Sequence, residues 1–208
     1  MEAESETRIA AVVLAAGASV RLGRPKQLVR IGQSGGGGGE SLLRRAVRLA
    51  LEAGCAPVVV VLGFEAERMR AELEGLAATQ VRAVVNAEWA EGMGSSLRCG
   101  VEAVRGMEPI ADALLVLVCD QPRLTVEHLR RLLERHREGR AAITASVYAG
   151  KTGVPAVFRQ ELFGELAGLE GDRGARELIR SHAGAVEGTP WAEGSVDLDL
   201  PDDLRGIE

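Results

Sequence analysis

A chain of 208 residues suits one domain and can bury one sizeable core, built here mostly from Leu, Val, Ala and Ile because aromatics make up only 3%. Its 25 Lys+Arg against 30 Asp+Glu leave a formal charge of −5, which argues against nucleic-acid binding by bulk electrostatics but leaves room for a local basic cluster at Arg21, Arg24, Lys26 and Arg30. The widely spaced Cys55, Cys99 and Cys119 form neither a disulfide framework nor a C-x-x-C motif, the apolar runs are too short to span a membrane, and the acidic Met1–Thr7 does not read as a signal peptide, so the expected location is the cytoplasm.

After that tail, Ile9–Leu14 is continuously apolar and reads as a strand covered on both faces, as in a parallel sheet. Leu14-Ala-Ala-Gly-Ala-Ser-Val-Arg-Leu-Gly-Arg-Pro-Lys-Gln-Leu28 follows. Small residues straight after a buried strand let the backbone approach a ligand, and Arg21 and Lys26 are spaced to neutralise a triphosphate. The bland alternative is a plain tight turn between strand and helix. Gly32–Gly39 ends in five consecutive glycines, a flexible loop within 32–40 that is either a tolerated insertion or a mobile flap.

Ser41–Ala53 carries helical spacing, Pro57–Leu62 strand character, Glu65–Leu73 helical spacing and Val81–Val85 strand character. Asn86, Ser95 and Ser96 follow; amides and hydroxyls on such a loop suit recognition of a base or ribose edge, although Ser95 also suits the cap of a helix running to Arg105. Trp89 and Met93 are either core or pocket lining. Ala113–Val118 is the next strand, and Asp120 just beyond it is either a turn cap or a ligand for a hard cation such as Mg²⁺. Thr125 is placed to cap a helix over Val126–Arg137, and Ala141–Val147 and Val154–Phe158 read as further strands. Asp172 has the position of a cap for a helix over Arg173–His182. His128, His136 and His182 read as ordinary helix residues, and the cysteines as small core residues. The alternation predicts a Rossmann-like, doubly wound, mostly parallel α/β sheet in a single domain over 1–208, with ligands outside the strand ends at the loops after Leu14, Val85 and Val118.

The stretch Leu14–Leu28 resembles the L-A-A-G-x-S-x-R-x-G-x-P-K-x-L signature of the MobA-like NTP transferases, and best the MocA branch of molybdenum cofactor cytidylyltransferases. Asn86-Ala-Glu-Trp-Ala-Glu-Gly-Met-Gly-Ser-Ser-Leu-Arg98 is similar to that branch's N-x-x-W-x-x-G-M-x-x-S-[LI] segment. Leu117-Val-Cys-Asp-Gln-Pro122 resembles its D-Q-P element, Gly171-Asp-Arg-Gly-Ala-Arg176 its G-D-x-G-A-R element, and Asp197–Asp203 its D-x-D-T-P-x-D ending. The resemblance implies a nucleotide-diphospho-sugar transferase type of fold and a Mg²⁺-dependent nucleotidyltransferase. It implies nucleotide contacts from Leu14, Ala15, Ala16, Gly17, Ser19, Arg21, Lys26, Asn86, Ser95 and Ser96, with Arg21, Lys26 and Asp120 catalytic. Asp120 and Asp199 are implied to hold the metal, with Asp197 the alternative to Asp199. Gln121, Pro122, Gly171 and Asp172 are implied to face the acceptor.

Within the family, Ala15-Ala16-Gly17 goes with cytosine, so the implied substrates are CTP, with GTP as the alternative, and Mo-molybdopterin, with a molybdoenzyme as a client. Three departures stand out: the family's G-H-P is Gly153-Val154-Pro155 here, the Thr of D-x-D-T-P is Leu200, and the polyglycine run replaces a shorter turn. A sister transferase acting on a sugar or alcohol phosphate shares the first loop, and a non-catalytic nucleotide-binding partner of a molybdoenzyme is the reading outside enzymology.

Overall fold

The computed structural model describes residues 7–32, 39–198 and 200–204, so residues 1–6, 33–38 and 205–208 and Asp199 lie outside the described residues. The strands are β1 (Ile9–Ala15), β2 (Arg30–Ile31), β3 (Glu40–Ser41), β4 (Val58–Leu62), β5 (Val81–Val85), β6 (Ala113–Val118), β7 (Ile143–Tyr148), β8 (Lys151–Arg159) and β9 (Val186–Pro190). The α-helices are α1 (Leu42–Glu52), α2 (Ala66–Ala71), α3 (Met93–Arg105), α4 (Val126–Glu138), α5 (Phe163–Ala167) and α6 (Ala175–Ser181).

Seven strands form one sheet in the order β5-β4-β1-β6-β8-β7-β9. β4, β1 and β6 pair in parallel, as do β4 with β5 and β7 with β9, while β8 runs against both its neighbours. The doubly wound, mostly parallel sheet expected from the sequence is therefore the one that forms. β2 and β3 make a separate antiparallel ribbon at the base of the glycine-rich loop.

Alternation along β1 explains why its sequence is apolar throughout. Ile9, Ala11, Val13 and Ala15 pack on the α1 and α4 side, whereas Ala10 and Val12 pack on the α3, α5 and α6 side. α4 sends Leu129, Leu132 and Leu133 into the first of these layers, and Thr125 caps it by accepting from His128 N at 3.2 Å. Chain order doubles back at β1: β4 and β5 lie on one side of it and β6 on the other. That reversal opens a crevice at the carboxyl ends of β1 and β6, where the loops after Leu14 and Val118 meet.

Several expectations need correction. β9 and α5 were not foreseen, because Val186–Pro190 has little apolar content and α5 has five residues. The segment predicted over Glu65–Leu73 forms only the six-residue α2. α3 begins at Met93 with Gly92 as its cap, so Ser95 sits inside the first turn and is not the N-cap. α6 is capped by Gly174, so Asp172 does not cap it. Among the described residues, no helix is long and apolar enough to cross a membrane.

Candidate active site

The loop leaving β1 turns sharply at Ser19, whose backbone is left-handed (φ 53°, ψ 43°), and continues through two short 3-10 turns, Val20–Leu22 and Lys26–Leu28. Gln27 pins it from beneath. This buried side chain donates through Nε2 to Ala15 O (3.1 Å) and Gly17 O (2.8 Å), and its Oε1 accepts from Ser19 Oγ (3.4 Å). Ser19 Oγ in turn accepts from Lys26 N (3.1 Å), and Phe64 N donates to Ala16 O (3.0 Å). With these carbonyls engaged by the scaffold, the loop offers its amide N–H groups to an anion. Gln27 is a positioning residue that the motif does not mark, since it occupies an unspecified position, and its burial is set by the fold.

Opposite this loop, β6 ends at Val118 and delivers Asp120 to the crevice. Lys26 Nζ lies 2.5 Å from Asp120 Oδ2, and both side chains keep about a fifth of their surface exposed (22% and 20%). Thr125 supplies the cap of α4, so Asp120 is left facing the cleft. Its carbonyl accepts from Leu198 N at 2.9 Å, which ties the Asp197–Leu198 segment to the same place. The cleft has a volume of about 530 Å³, within the range of small-molecule sites.

The structure distributes the predicted site residues unevenly. Leu14, Ala16, Gly17, Ser19, Arg21, Lys26, Ser96, Asp120 and Asp172 line the cleft, whereas Ala15 belongs to the core. Asn86 and Ser95 are buried and hold their own loop. Asn86 Nδ2 donates to Ser95 Oγ (2.9 Å) and Ser96 Oγ (3.2 Å), its Oδ1 accepts from Glu88 N (3.0 Å), and Ser95 Oγ reaches Glu88 O and Gly92 O at 2.9 Å each. Trp89 and Met93 line the cleft, Trp89 with its ring edge-on to Phe64. Gln121 lines a second, adjoining cavity, Pro122 is buried, and Gly171 faces an outer groove. Asp197 lines the second cavity; Asp199 lies outside the described residues.

Two distant motifs meet at one wall. Gly94 N donates to Gly171 O at 2.9 Å, and Gly92 lies so close that a Cβ there would sit 2.5 Å from the Gly171 carbonyl and 2.8 Å from Asp172 Oδ1. Gly92 also has φ +117°, a conformation L side chains rarely adopt. Gly92→Ala is therefore expected to cost about 2–3 kcal/mol and to lower the melting temperature by roughly 5–10 °C. A thermal melt within a degree or so of the parent protein would show that the wall tolerates a Cβ.

Among the described residues, no three of His, Cys, Asp and Glu converge as a closed metal site.

A phosphate-shaped loop and an acidic strand end facing one another across the switch point define an α/β fold of the nucleotide-diphospho-sugar transferase type. The chain belongs to the MobA-like NTP transferase family, whose domain model matches residues 11–186, and it is a nucleotidyltransferase of that family. It is similar to nicotine blue oxidoreductase of Paenarthrobacter nicotinovorans, with 37% identity covering 95% of this chain and 90% of that one. It is also similar to the purine catabolism protein PucB of Bacillus subtilis, with 30% identity covering 92% of each. Among solved structures, Rv0371c of Mycobacterium tuberculosis H37Rv superposes with a TM-score of 0.77 at 32% identity over 97% of both chains, and its manganese complex with a TM-score of 0.73 at 31%.

Proposed function

We infer that the protein transfers CMP from CTP to the terminal phosphate of Mo-molybdopterin, forming molybdopterin cytosine dinucleotide and pyrophosphate. The observation that carries the transfer chemistry is the 2.5 Å contact of Lys26 with Asp120 across the switch-point cleft, with the Gln27-pinned loop beside it. The choice of CTP rests on Ala15-Ala16-Gly17, and the choice of acceptor on the motif resemblance. An acceptor phosphate oxygen attacks the α-phosphorus in line, the bond from that phosphorus to the β-phosphate oxygen breaks, and pyrophosphate leaves with the electron pair. A phosphate monoester is already anionic near neutral pH, so the residues need only place and neutralise charge. Lys26 and Arg21 offset the triphosphate, and the loop N–H groups orient it.

The oxygen donors at the cleft suit Mg²⁺, held by Asp120 and, on the family pattern, Asp199 or Asp197. The manganese complex of Rv0371c supports the use of a divalent cation. When bound, the cation would neutralise charge developing on the phosphates.

The test is pyrophosphate release with Mg²⁺ and Mo-molybdopterin, comparing CTP, GTP, ATP and UTP, with Asp120→Ala as control. Turnover with CTP that vanishes in Asp120→Ala is the expected result. Turnover with GTP alone would overturn the base assignment, and silence with all four would move the acceptor to a sugar or alcohol phosphate or leave a nucleotide-binding partner of a molybdoenzyme. The name of the 37%-identical relative favours a second reading, a redox reaction. Oxidation of an added reduced nicotinamide cofactor, coupled to two-electron reduction of an added quinone-type dye, would support it.

A further inference from the structure

The loops after β1, β4 and β5 meet around Gly63, just past the end of β4. Phe64 N donates to Ala16 O at 3.0 Å and Asn86 N to Leu62 O at 2.8 Å, which ties the three together. A Cβ at Gly63 would sit 2.7 Å from Trp89 Cβ and 2.8 Å from both Ala16 Cβ and Ala16 O. Gly63 does not have a positive φ, so what this position requires is space. The half-buried Trp89 takes that space. Its ring meets Phe64 edge to face with centroids 5.6 Å apart, and the residue lines the cleft together with Gly17, Ser19 and Arg21 of the phosphate loop. It does not line the second cavity, beside Gln121.

We propose that Trp89 is a wall for the nucleoside and that Gly63 is the positioning residue that seats it against the phosphate loop. The inference rests on the transferase reading, which puts a nucleotide in this cleft. The triphosphate takes the loop N–H groups, Arg21 and Lys26, so base and ribose extend along the remaining wall, where Trp89 stands. An indole offers a flat base a large apolar surface and a π face. A methyl at Gly63 would push Trp89 back by roughly 1 Å to restore an ordinary carbon–carbon contact. The phosphate loop would hold, because Gln27 pins it at Ala15 O and Gly17 O and Phe64 N pins it at Ala16 O. The turn bearing Trp89 bonds back to its own loop, through Glu91 N to Glu88 O (2.9 Å) and Gly92 N to Trp89 O (3.3 Å), so it is the part that yields.

The experiment titrates the full chain with CTP and, separately, with inorganic tripolyphosphate, both with Mg²⁺, following calorimetric heat and tryptophan emission. The chain's other tryptophan, Trp191, is buried against His128 and Tyr148 and does not line the cleft, so comparison with Trp89→Phe isolates the Trp89 signal. CTP is expected to change the emission of the parent and not that of Trp89→Phe. Trp89→Ala weakens CTP by about tenfold or more and Trp89→Phe by less than about threefold, while tripolyphosphate stays within about twofold in both. Gly63→Ala reproduces the pattern of Trp89→Ala with a diminished emission change; a general loosening of the fold would instead cost both ligands alike. CTP binding that leaves Trp89 emission unmoved, or Trp89→Ala binding CTP within about twofold of the parent, would overturn the wall. Equal loss of both ligands in Gly63→Ala, or loss of its cooperative thermal melt, would make Gly63 a folding residue and overturn its positioning role, with the Trp89 variants still deciding the wall. A parent chain that binds neither CTP nor tripolyphosphate would bring down the nucleotidyl-transfer reading and the proposal with it, whereas CTP binding with Trp89 silent removes the proposal alone.

Discussion

Lys26→Ala is expected to lower kcat/KM for pyrophosphate release by roughly 10²–10³, the scale seen when one pre-positioned charge-stabilising group is removed from a partly desolvated site. The amine sits 2.5 Å from Asp120 with 22% of its side chain exposed, so much of its hydration is already gone before substrate arrives. Removing it takes away a cation from the triphosphate and leaves Asp120 to repel the same phosphates. The backbone of Lys26 is anchored through Ser19 Oγ, so the loop keeps its shape in the variant. Because the ion pair is partly exposed, its contribution to folding is small, about 1 kcal/mol or less, and the melting temperature should barely move. Lys26→Arg should restore only part of the activity, since a planar fork does not replace a compact ammonium at so short a contact. If Lys26→Ala turned over within about threefold of the parent, charge neutralisation by this side chain would have to be abandoned.

The second large effect concerns acid stability. His128 and His136 are each 1% exposed on the inner face of α4, against β7. Ser146 Oγ gives its proton to Pro155 O (2.7 Å) and therefore accepts from His128 Nε2 (2.8 Å), which leaves Nδ1 bare. That ring also stacks on Trp191 with centroids 4.8 Å apart. His136 bonds to Thr144 Oγ1 at 2.9 Å through Nδ1, and its Nε2 is buried without a partner.

Burial first, then the nearby Arg131, lowers the pKa of His128 to about 4. Burial, then Arg159 and Arg137, does the same to His136, with Glu187 opposing. Above the ordinary value of 6.5 both rings are neutral whether the chain is folded or not, and no stability is lost. As pH falls from 6.5 towards 4, the unfolded chain takes up protons that the folded chain refuses, and stability drops. The loss is about 2 kcal/mol per histidine by pH 5. Urea unfolding at pH 7, 6 and 5 reads this directly. Replacing both histidines with glutamine should flatten the slope over that window, whatever the change in absolute stability. An unchanged slope would show that the two rings are not what refuses the protons.

What the sequence determined by itself were the features with local physical causes. Continuous apolar runs such as Ile9–Ala15 and Ala113–Val118 can only be buried on both faces, so they fall in the centre of a parallel sheet. Thr125 reads as a cap because its hydroxyl needs only the amide three residues on. The loop after β1 was legible because small residues, Arg21 and Lys26 lie within a few positions of one another. The motifs spread along the chain pointed to the family whose domain model matches residues 11–186.

Tertiary structure decided the rest, because it depended on groups far apart in the chain. Asn86, Ser95 and Ser96 read alike as base-recognising residues, yet Asn86 and Ser95 spend their hydrogen bonds closing the 86–96 loop, and of the three Ser96 lines the cleft. Gln27 matters because the fold brings two carbonyls over it. β9 has almost no apolar content of its own and becomes a strand by pairing with β7. Gly92 is required by the close approach of Gly171, and Gly94 by that of Leu169 and Glu170, neighbours far along the chain that no local pattern encodes. A residue's propensity is written in its own side chain and those beside it, whereas its partner across a cleft is set only when the sheet order is.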